Sequence, residues 1–233
     1  MLCTICARGS SRRAPGKNAR VIAGRPLIAH TIEQARETGL FRHIAVSSDS
    51  PAILEAGRAA GADILVQRPD ELASDTAAKP PAIRHCVEEV ERRTGLTFDV
   101  MVDLDATSPL RIPADIKGAV DLLTSSGCGN VITGAPAHRS PYFNLVERRA
   151  NGTVSVSKPP VDAVFRRQDA PPCFDMNASI YAWTRAAFMT GPAVFMSDTR
   201  LYEMPAERSF DIDSELDWDI VEFLLSRRMR SAT

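Results

Sequence analysis

Neither sign of charge is in excess in this sequence. Its 233 residues carry 28 lysines and arginines against 29 aspartates and glutamates, a formal net charge of −1. A broad nucleic-acid-binding face normally brings a strongly basic balance, and aromatic residues to stack on bases are scarce at 6%. No run of about 18 apolar residues exists, so no membrane-spanning helix is expected, and the first residues lack the apolar stretch of a secretory signal. Cysteine is sparse and odd in number, five in all. Their mostly hydrophobic contexts suggest reduced thiols in a cytoplasmic protein rather than a disulfide framework. Cys3 and Cys6 form a C-x-x-C, but no second pair or His pair follows, and on a strand positions i and i+3 face opposite ways. Histidine is rarer still. His43, His85 and His138 lack a metal-like spacing, and His30 reads as a core histidine on a helix. No internal repeat or low-complexity tract stands out.

What is present is a rhythm. With 44% hydrophobic residues the chain can bury the core of one large domain, or of one domain with a modest insertion. Apolar strand-like runs at 2–7, 43–48, 62–66, 98–106 and 130–135 alternate with helical patterns at 26–40, 50–61, 79–95 and 113–127. Ser50 and Pro51 look like the cap and first residue of one helix, with Gly61 at its end. This alternation predicts an α/β fold with a mostly parallel sheet and helices on both faces, whose ligands bind at the carboxyl ends of the strands. The rhythm breaks at about 136. Residues 136–175 read as an insertion with a turn at Asn151-Gly152, perched on a core of 1–135 and 176–233. Strand character resumes at 176–183. A closing helix at 214–230 is capped by Ser214, with Leu216, Ile220, Phe223 and Leu224 as its expected apolar stripe.

At the end of the first strand, "ICARGSSRRAPGKNAR" (5–20) crowds Arg8, Arg12, Arg13, Lys17 and Arg20 together. A solvated loop, a nucleic-acid patch and a phosphate cradle are the three readings. The stretch is not G-x-x-x-x-G-K-[ST], since six residues separate Gly9 from Gly16 and Asn follows Lys17, and it is not G-x-G-x-x-G. Gly9, Ser10 and Ser11 can still bring N–H groups and hydroxyls to an anion, with Arg8 as a planar fork and Lys17 as a point charge.

Five blocks in order now matter. "ARGSSRRAPGKN" (7–18) resembles the A-R-G-G-S-K-G-x-P-x-K-N signature of the CMP-sialic acid synthetases, cytidylyltransferases that activate acidic nonulosonate sugars. Arg8, Ser11, Pro15, Lys17 and Asn18 match, while Arg12 and Arg13 replace the Lys-Gly pair. "RPDELASDTA" (68–77), "LDATSPLR" (104–111), "RRQDAPPCFDMNASIY" (166–181) and "FDIDSELDW" (210–218) resemble its R-P-x-x-L-A-x-D-x-[AST], L-Q-P-T-S-P-L-R, R-Q-x-x-P-x-x-x-x-x-N-G-x-I-Y and I-D-I-D-T-E-x-D-W segments.

The resemblance implies a Rossmann-like nucleotidyltransferase fold whose insertion serves dimerisation. It also implies transfer of CMP from CTP to the anomeric hydroxyl of a nonulosonate, with pyrophosphate released and Mg²⁺ or Mn²⁺ as cofactor. Such a transfer needs charge stabilisation and positioning more than a covalent nucleophile. Arg8, Lys17 and Asp211 are the implied catalytic residues, with Gly9, Ser11, Asn18, Arg68, Ala77 and Lys79 beside them at the nucleotide. Family members often carry Ser or Thr at the Lys79 position. Asp105, Thr107, Ser108, Arg167, Asp175 and Asn177 fall at the sugar, Arg167 matching the arginine that reaches the sugar carboxylate. Asp211 and Asp213, two apart on an extended segment, offer hard oxygen ligands to the metal. An acidic cluster at a helix N-terminus is the alternative for that pair. Asp105 and Asp175 depart from the Gln and Arg of sialic acid enzymes, and this resembles the CMP-legionaminic acid synthetase branch. A pseudaminate or KDO (2-keto-3-deoxy-manno-octonic acid) enzyme and a non-catalytic nucleotide-sensing homologue are the rival readings.

Overall fold

A computed structural model describes residues 1–9, 14, 16–74, 76–159, 166–191 and 193–231. The chain opens with β1 (Leu2–Cys6) and passes a 3-10 turn, Lys17–Ala19, into a ribbon of β2 (Val21–Ile22) and β3 (Arg25–Pro26). Then come α1 (Leu27–Thr38), β4 (His43–Ser48), α2 (Pro51–Ala59), β5 (Ile64–Gln67), α3 (Lys79–Thr94), β6 (Val100–Leu104), α4 (Pro113–Ser126) and β7 (Asn130–Pro136). A hairpin of β8 (Val146–Arg148) and β9 (Val154–Val156) precedes β10 (Phe174–Thr184), α5 (Arg185–Thr190), β11 (Arg200–Glu203) and α6 (Glu215–Ser231).

The expected alternation is there, and its punctuation is local chemistry. Prolines sit in the first turn of α2, α3 and α4, where a missing N–H leaves no helical bond unmade. Helices α1 and α3 stop at Gly39 and Gly95, whose φ of 69° and 68° a side chain would resist. Ser50 does not cap α2 with its side chain. Its own N–H instead donates to Ser48 Oγ at 3.1 Å.

Seven strands form one sheet in the order β11-β7-β10-β6-β1-β4-β5. Strands β5, β4, β1 and β6 run parallel, while β10 runs antiparallel to both neighbours, β6 and β7. Alternation along β1 feeds two cores. Cys3 and Ile5 pack with Ile28, Ile32, Ile53 and Ile116 from α1, α2 and α4. Leu2 packs with Ile83, Cys86 and Val87 of α3 on the other face, where Trp183 and Phe188 also lie. Each such aliphatic side chain contributes about 1.5–3 kcal/mol when fully buried. Cys3 and Cys6 belong to opposite faces, and all five cysteines are free thiols.

A third cluster docks α6 on the ribbon, and it corrects the expected stripe. Trp218, Val221 and Leu225 face Ile22, Leu27 and Leu110, while Leu216 and Phe223 are exposed. The cap at Ser214 is as expected: its Oγ accepts from Asp217 N at 3.3 Å, and Asp217 Oδ2 accepts from Ser214 N at 2.7 Å. The strands around Asn151-Gly152 pair antiparallel, Val146 opposite Val156. Because β7 reaches Pro136 and β10 begins at Phe174, the connection between them is 137–173, slightly shorter than the expected insertion. Among the described residues no helix is long and apolar enough to cross a membrane.

Candidate functional site

From β1 the chain builds outward through β4 to β5, then returns to lay β6 on the other side of β1. The loops after β1 and β6 therefore diverge at their carboxyl ends, the place where open α/β sheets hold ligands. A cavity of about 580 Å³ occupies that position. Arg8, Lys17, Asn18, Arg68, Ala77, Lys79, Asp105, Thr107, Asp211 and Asp213 all line it, drawn from residues some 200 positions apart in sequence.

The basic loop is built from its ends. A Cβ at Gly9 would stand 2.8 Å from the Ser50 Cβ, so only glycine lets this backbone pass the start of α2. The Gly9 N–H donates to Asp49 Oδ1 at 2.8 Å, tying the loop to the end of β4. Asn18 is buried and donates to the Arg8 carbonyl at 3.1 Å, closing the loop on itself. Arg8 reaches the Ser74 carbonyl at 3.2 Å across the opening. Ser11 lies outside the described residues, as do Arg12, Arg13 and Pro15.

Lys17 is buried, and its ammonium donates to the Ile212 carbonyl and pairs with Asp213 at 3.3 Å. It thereby ties the first loop to the Asp211–Asp213 segment. That segment is held from three further sides. Ile212 N donates to the Thr107 carbonyl at 2.9 Å, and Asp217 accepts from Asp213 N at 3.1 Å. Arg208 forks onto Asp115 of α4 with two 2.9 Å bonds. Burial pushes the Asp211 carboxyl above its ordinary range, and the neighbouring charges of Asp213 and Asp105 push the same way.

Arg68 is not a surface arginine paired with Asp70. It is 5% exposed, and its guanidinium donates to the carbonyl and hydroxyl of Ser47 at 2.8 and 3.3 Å. Lys79 lines the cavity with its ammonium paired to carboxylates. Its Nζ lies 2.9 Å from an oxygen of Asp103 and 2.9 Å from one of Asp105, and sits 4.8 Å from the centre of the Tyr181 ring. Although burial disfavours the charged ammonium, the two carboxylates outweigh it, and the Lys79 pKa is raised. Burial opposes ionisation of Asp105 too, but Lys79 and the Thr107 donors hold its carboxyl well below the usual range.

Beneath this group lies Arg111, fully buried. Its guanidinium donates to the carbonyls of Asp105 and Ser179 at 2.6 and 2.7 Å and to the Thr31 hydroxyl at 2.5 Å. It fixes the turn after β6 from below, and burial lowers its pKa to about 10. Arg111, Asp103 and Tyr181 carried no role in the sequence reading. The signal was present in the buried polar pattern of "VDLDATSPLR", yet pattern alone cannot separate a supporting arginine from a surface one.

Ser108, Asn177 and Asp175, expected at the sugar, are not among the residues lining this cavity. Ser108 is fully buried. Asn177 is 6% exposed and has its amide engaged. Its Oδ1 accepts from Thr133 Oγ1 at 2.6 Å and Ser179 N at 3.1 Å, and its Nδ2 donates to Ser209 Oγ at 3.0 Å. That work holds a bulge in β10, where the register shifts between Met176 and Tyr181. Asp175 is exposed and accepts from His138 N at 2.9 Å. Arg167 opens a 3-10 turn, Arg167–Asp169, and Gln168 lines a second cavity of about 570 Å³ with Arg139 and Phe174.

Comparison with known proteins matches the Cytidylyltransferase family model over residues 2–226. The chain is 42% identical over 228 residues to post-translational flagellin modification protein B of Campylobacter coli, covering 98% of this chain and 96% of that protein. It is 43% identical over 226 residues to the CMP-N,N'-diacetyllegionaminic acid synthase of Campylobacter jejuni, covering 97% and 95%. In three dimensions it resembles a CMP:2-keto-3-deoxy-manno-octonic acid synthetase complexed with CTP, at a TM-score of 0.72 and 18% identity, covering 97% and 98%.

Proposed function

The chain belongs to the cytidylyltransferase family, and from that premise we propose that it transfers CMP from CTP to the anomeric hydroxyl of an acidic nonulosonate sugar, releasing pyrophosphate. The observation that carries this reading is the convergence of Arg8, Lys17, Asp105, Asp211 and Asp213 on one cavity at the switch point of the sheet. A diacetylated legionaminate is the acceptor best supported, through the 43% identity to the synthase of that sugar nucleotide. The KDO synthetase likeness supports the fold alone.

In this reading Arg8 and Lys17 receive the triphosphate. Lys17 exchanges its bond to Asp213 for a phosphate oxygen, which frees that carboxylate as the substrate enters. Arg68 and Ala77 border the nucleotide from the β5 side, and Asn18 holds the loop closed behind Arg8. Asp211 and Asp213 fit a hydrated Mg²⁺ or Mn²⁺ ion. Both are hard carboxylates lining one cavity; burial and then the charge of Asp213 raise the Asp211 pKa, and a divalent cation held by the pair would offset that cost. Such an ion, when bound, supplies Lewis-acid polarisation of the α-phosphate. Asp105, kept ionised, accepts a hydrogen bond from the sugar beside the attacking hydroxyl. Arg167 is the candidate for the sugar carboxylate. The five free cysteines fit a cytoplasmic setting, and the 137–173 arm is the proposed dimer contact.

The test is pyrophosphate release with CTP and Mg²⁺, offering diacetyllegionaminic, pseudaminic, N-acetylneuraminic and KDO acids in parallel. Preference for legionaminate is expected. Preference for neuraminate or KDO overturns the choice of sugar, and release with none overturns the reaction in favour of a nucleotide-sensing homologue. Asp211→Ala is expected to lower turnover by roughly a hundredfold or more while CTP affinity by calorimetry stays close to the parent value.

A further inference from the structure

Lys79 is out of place at the first position of α3, where the helix end favours anions. Its charge also has no obvious call on a nucleotide. Its ammonium donates to Asp105 Oδ2 at 2.9 Å, pairs with a buried Asp103 oxygen at 2.9 Å, and sits 4.8 Å from the centre of the Tyr181 ring. Asp103 is fully buried, and Thr4 Oγ1 donates to its other oxygen at 2.8 Å, so this carboxylate is a fixed anchor. Asp105 is the freer partner, with its side chain 23% exposed at the cavity wall.

The acceptor sites of Asp105 can be followed one by one. Thr107 N and Thr107 Oγ1 both donate to Oδ1, at 3.0 and 2.9 Å. Lys79 donates to Oδ2 at 2.9 Å. A carboxylate has about four lone-pair sites. One therefore remains, on Oδ2, at the edge of the cavity. An ionised carboxylate has no proton to give, so this position reads a donor, either an O–H or an amide N–H.

We propose that Lys79 is a positioning residue for the acceptor sugar. Anchored on Asp103, it holds the Asp105 carboxylate so that its last lone pair faces the cavity and takes a hydrogen bond from a hydroxyl or acylamino N–H of the sugar, and it makes no contact with CTP. This assignment rests on the cytidylyltransferase reading above. It reassigns Lys79 from the nucleotide to the sugar and gives the site a preference for a donor at that place.

Removing Lys79 alone strands the buried Asp103 charge and threatens folding, so Lys79→Met is made together with Asp103→Asn, which keeps an oxygen for Thr4, and the unaltered protein is the reference. Initial rates are measured for the unaltered protein, for Asp103→Asn with Lys79→Met, for Asp105→Asn, and for the triple variant. CTP and diacetyllegionaminate are varied in turn. Lys79→Met is expected to raise the sugar KM about tenfold or more and leave the CTP KM within about twofold, with no further rise once Asp105 is already Asn. A CTP KM that climbs about tenfold, an unchanged sugar KM, or full additivity of the two lesions overturns the proposal. If the unaltered protein transfers CMP to none of the acids, the reaction reading falls separately. Calorimetry with CTP then decides for Lys79 alone, an unchanged Kd upholding its exclusion from the nucleotide and about a tenfold weaker Kd overturning it.

Discussion

Ala178 sits in the left-handed region at φ 52°, a conformation an L side chain resists by roughly 1–2 kcal/mol. The related motif has Gly at this place, between the Asn and the Ile-Tyr pair. The neighbours explain why the backbone stays there: Asn177 clamps the bulge through Thr133 and Ser179, and the Ser179 carbonyl accepts from Arg111 and from Asp105 N. The strained residue thus stands one position from a carbonyl that shapes the sugar side of the cavity. Ala178→Gly is expected to stabilise the fold by about 0.5–1 kcal/mol, the relief of strain less the extra chain entropy of glycine. A thermal melt should rise by about 1–4 °C for a chain of this size, and an unchanged or lower midpoint refutes the strain. The same scale explains Asn177. Its amide makes four hydrogen bonds to the protein, to Thr133, Ser179, Ser209 and Met204.

Between elements, the joints decide more than the elements do. His30 of α1 bonds the Ile22 carbonyl of β2 through Nε2 at 3.0 Å, pinning the ribbon that carries α6. Burial lowers the His30 pKa, with Arg25 adding to the effect against the opposing Ile22 bond and Glu33. A histidine with a depressed folded pKa takes up its proton more readily when unfolded. Its contribution to stability is therefore present above the ordinary histidine range, about 6.5, and is lost as pH falls through that value toward the folded pKa. Urea unfolding between pH 8 and pH 5 should show this loss in the parent and less of it in His30→Gln, which keeps an N–H donor and does not titrate. Equal slopes in the two proteins count against it. The α6 stripe teaches a related point. Leu216 and Phe223 satisfy helical periodicity as well as Trp218, Val221 and Leu225 do, and only the docking partner selects between two apolar faces; Leu224 of the expected stripe does pack against the docked cluster.

For the whole molecule, the exposed apolar surface is uneven. Phe143, Leu145, Val146 and Val154 lie exposed on the arm, and Phe174 and Met176 lie exposed where β10 leaves it. A two-stranded hairpin is marginal by itself, and such a concentration of apolar side chains marks a contact. The proposed homodimer predicts a sedimentation mass near twice 25.4 kDa for the parent. Val146→Glu with Val154→Glu should shift it toward the monomer. A monomeric parent at micromolar concentration rejects the dimer.

By itself the sequence determined the alternation of strands and helices, the hairpin at Asn151-Gly152, the opposed faces of Cys3 and Cys6, and the five motif blocks. These rest on period, turn chemistry and residue type, which act over a few neighbouring positions. The short ribbon, α5 and β11 were not visible in it, because they are brief and depend on partners far along the chain. Tertiary structure alone decided that β10 inserts antiparallel between β6 and β7 and that α6 buries the Trp218 face. It also decided that Asn177 and Ser108 turn inward while Arg68 borders the cavity. It alone set Lys79 against Asp103 and Asp105. A lysine at a helix start has the same local signature whether it meets a phosphate or a carboxylate, and the field it meets comes from a strand more than twenty residues away.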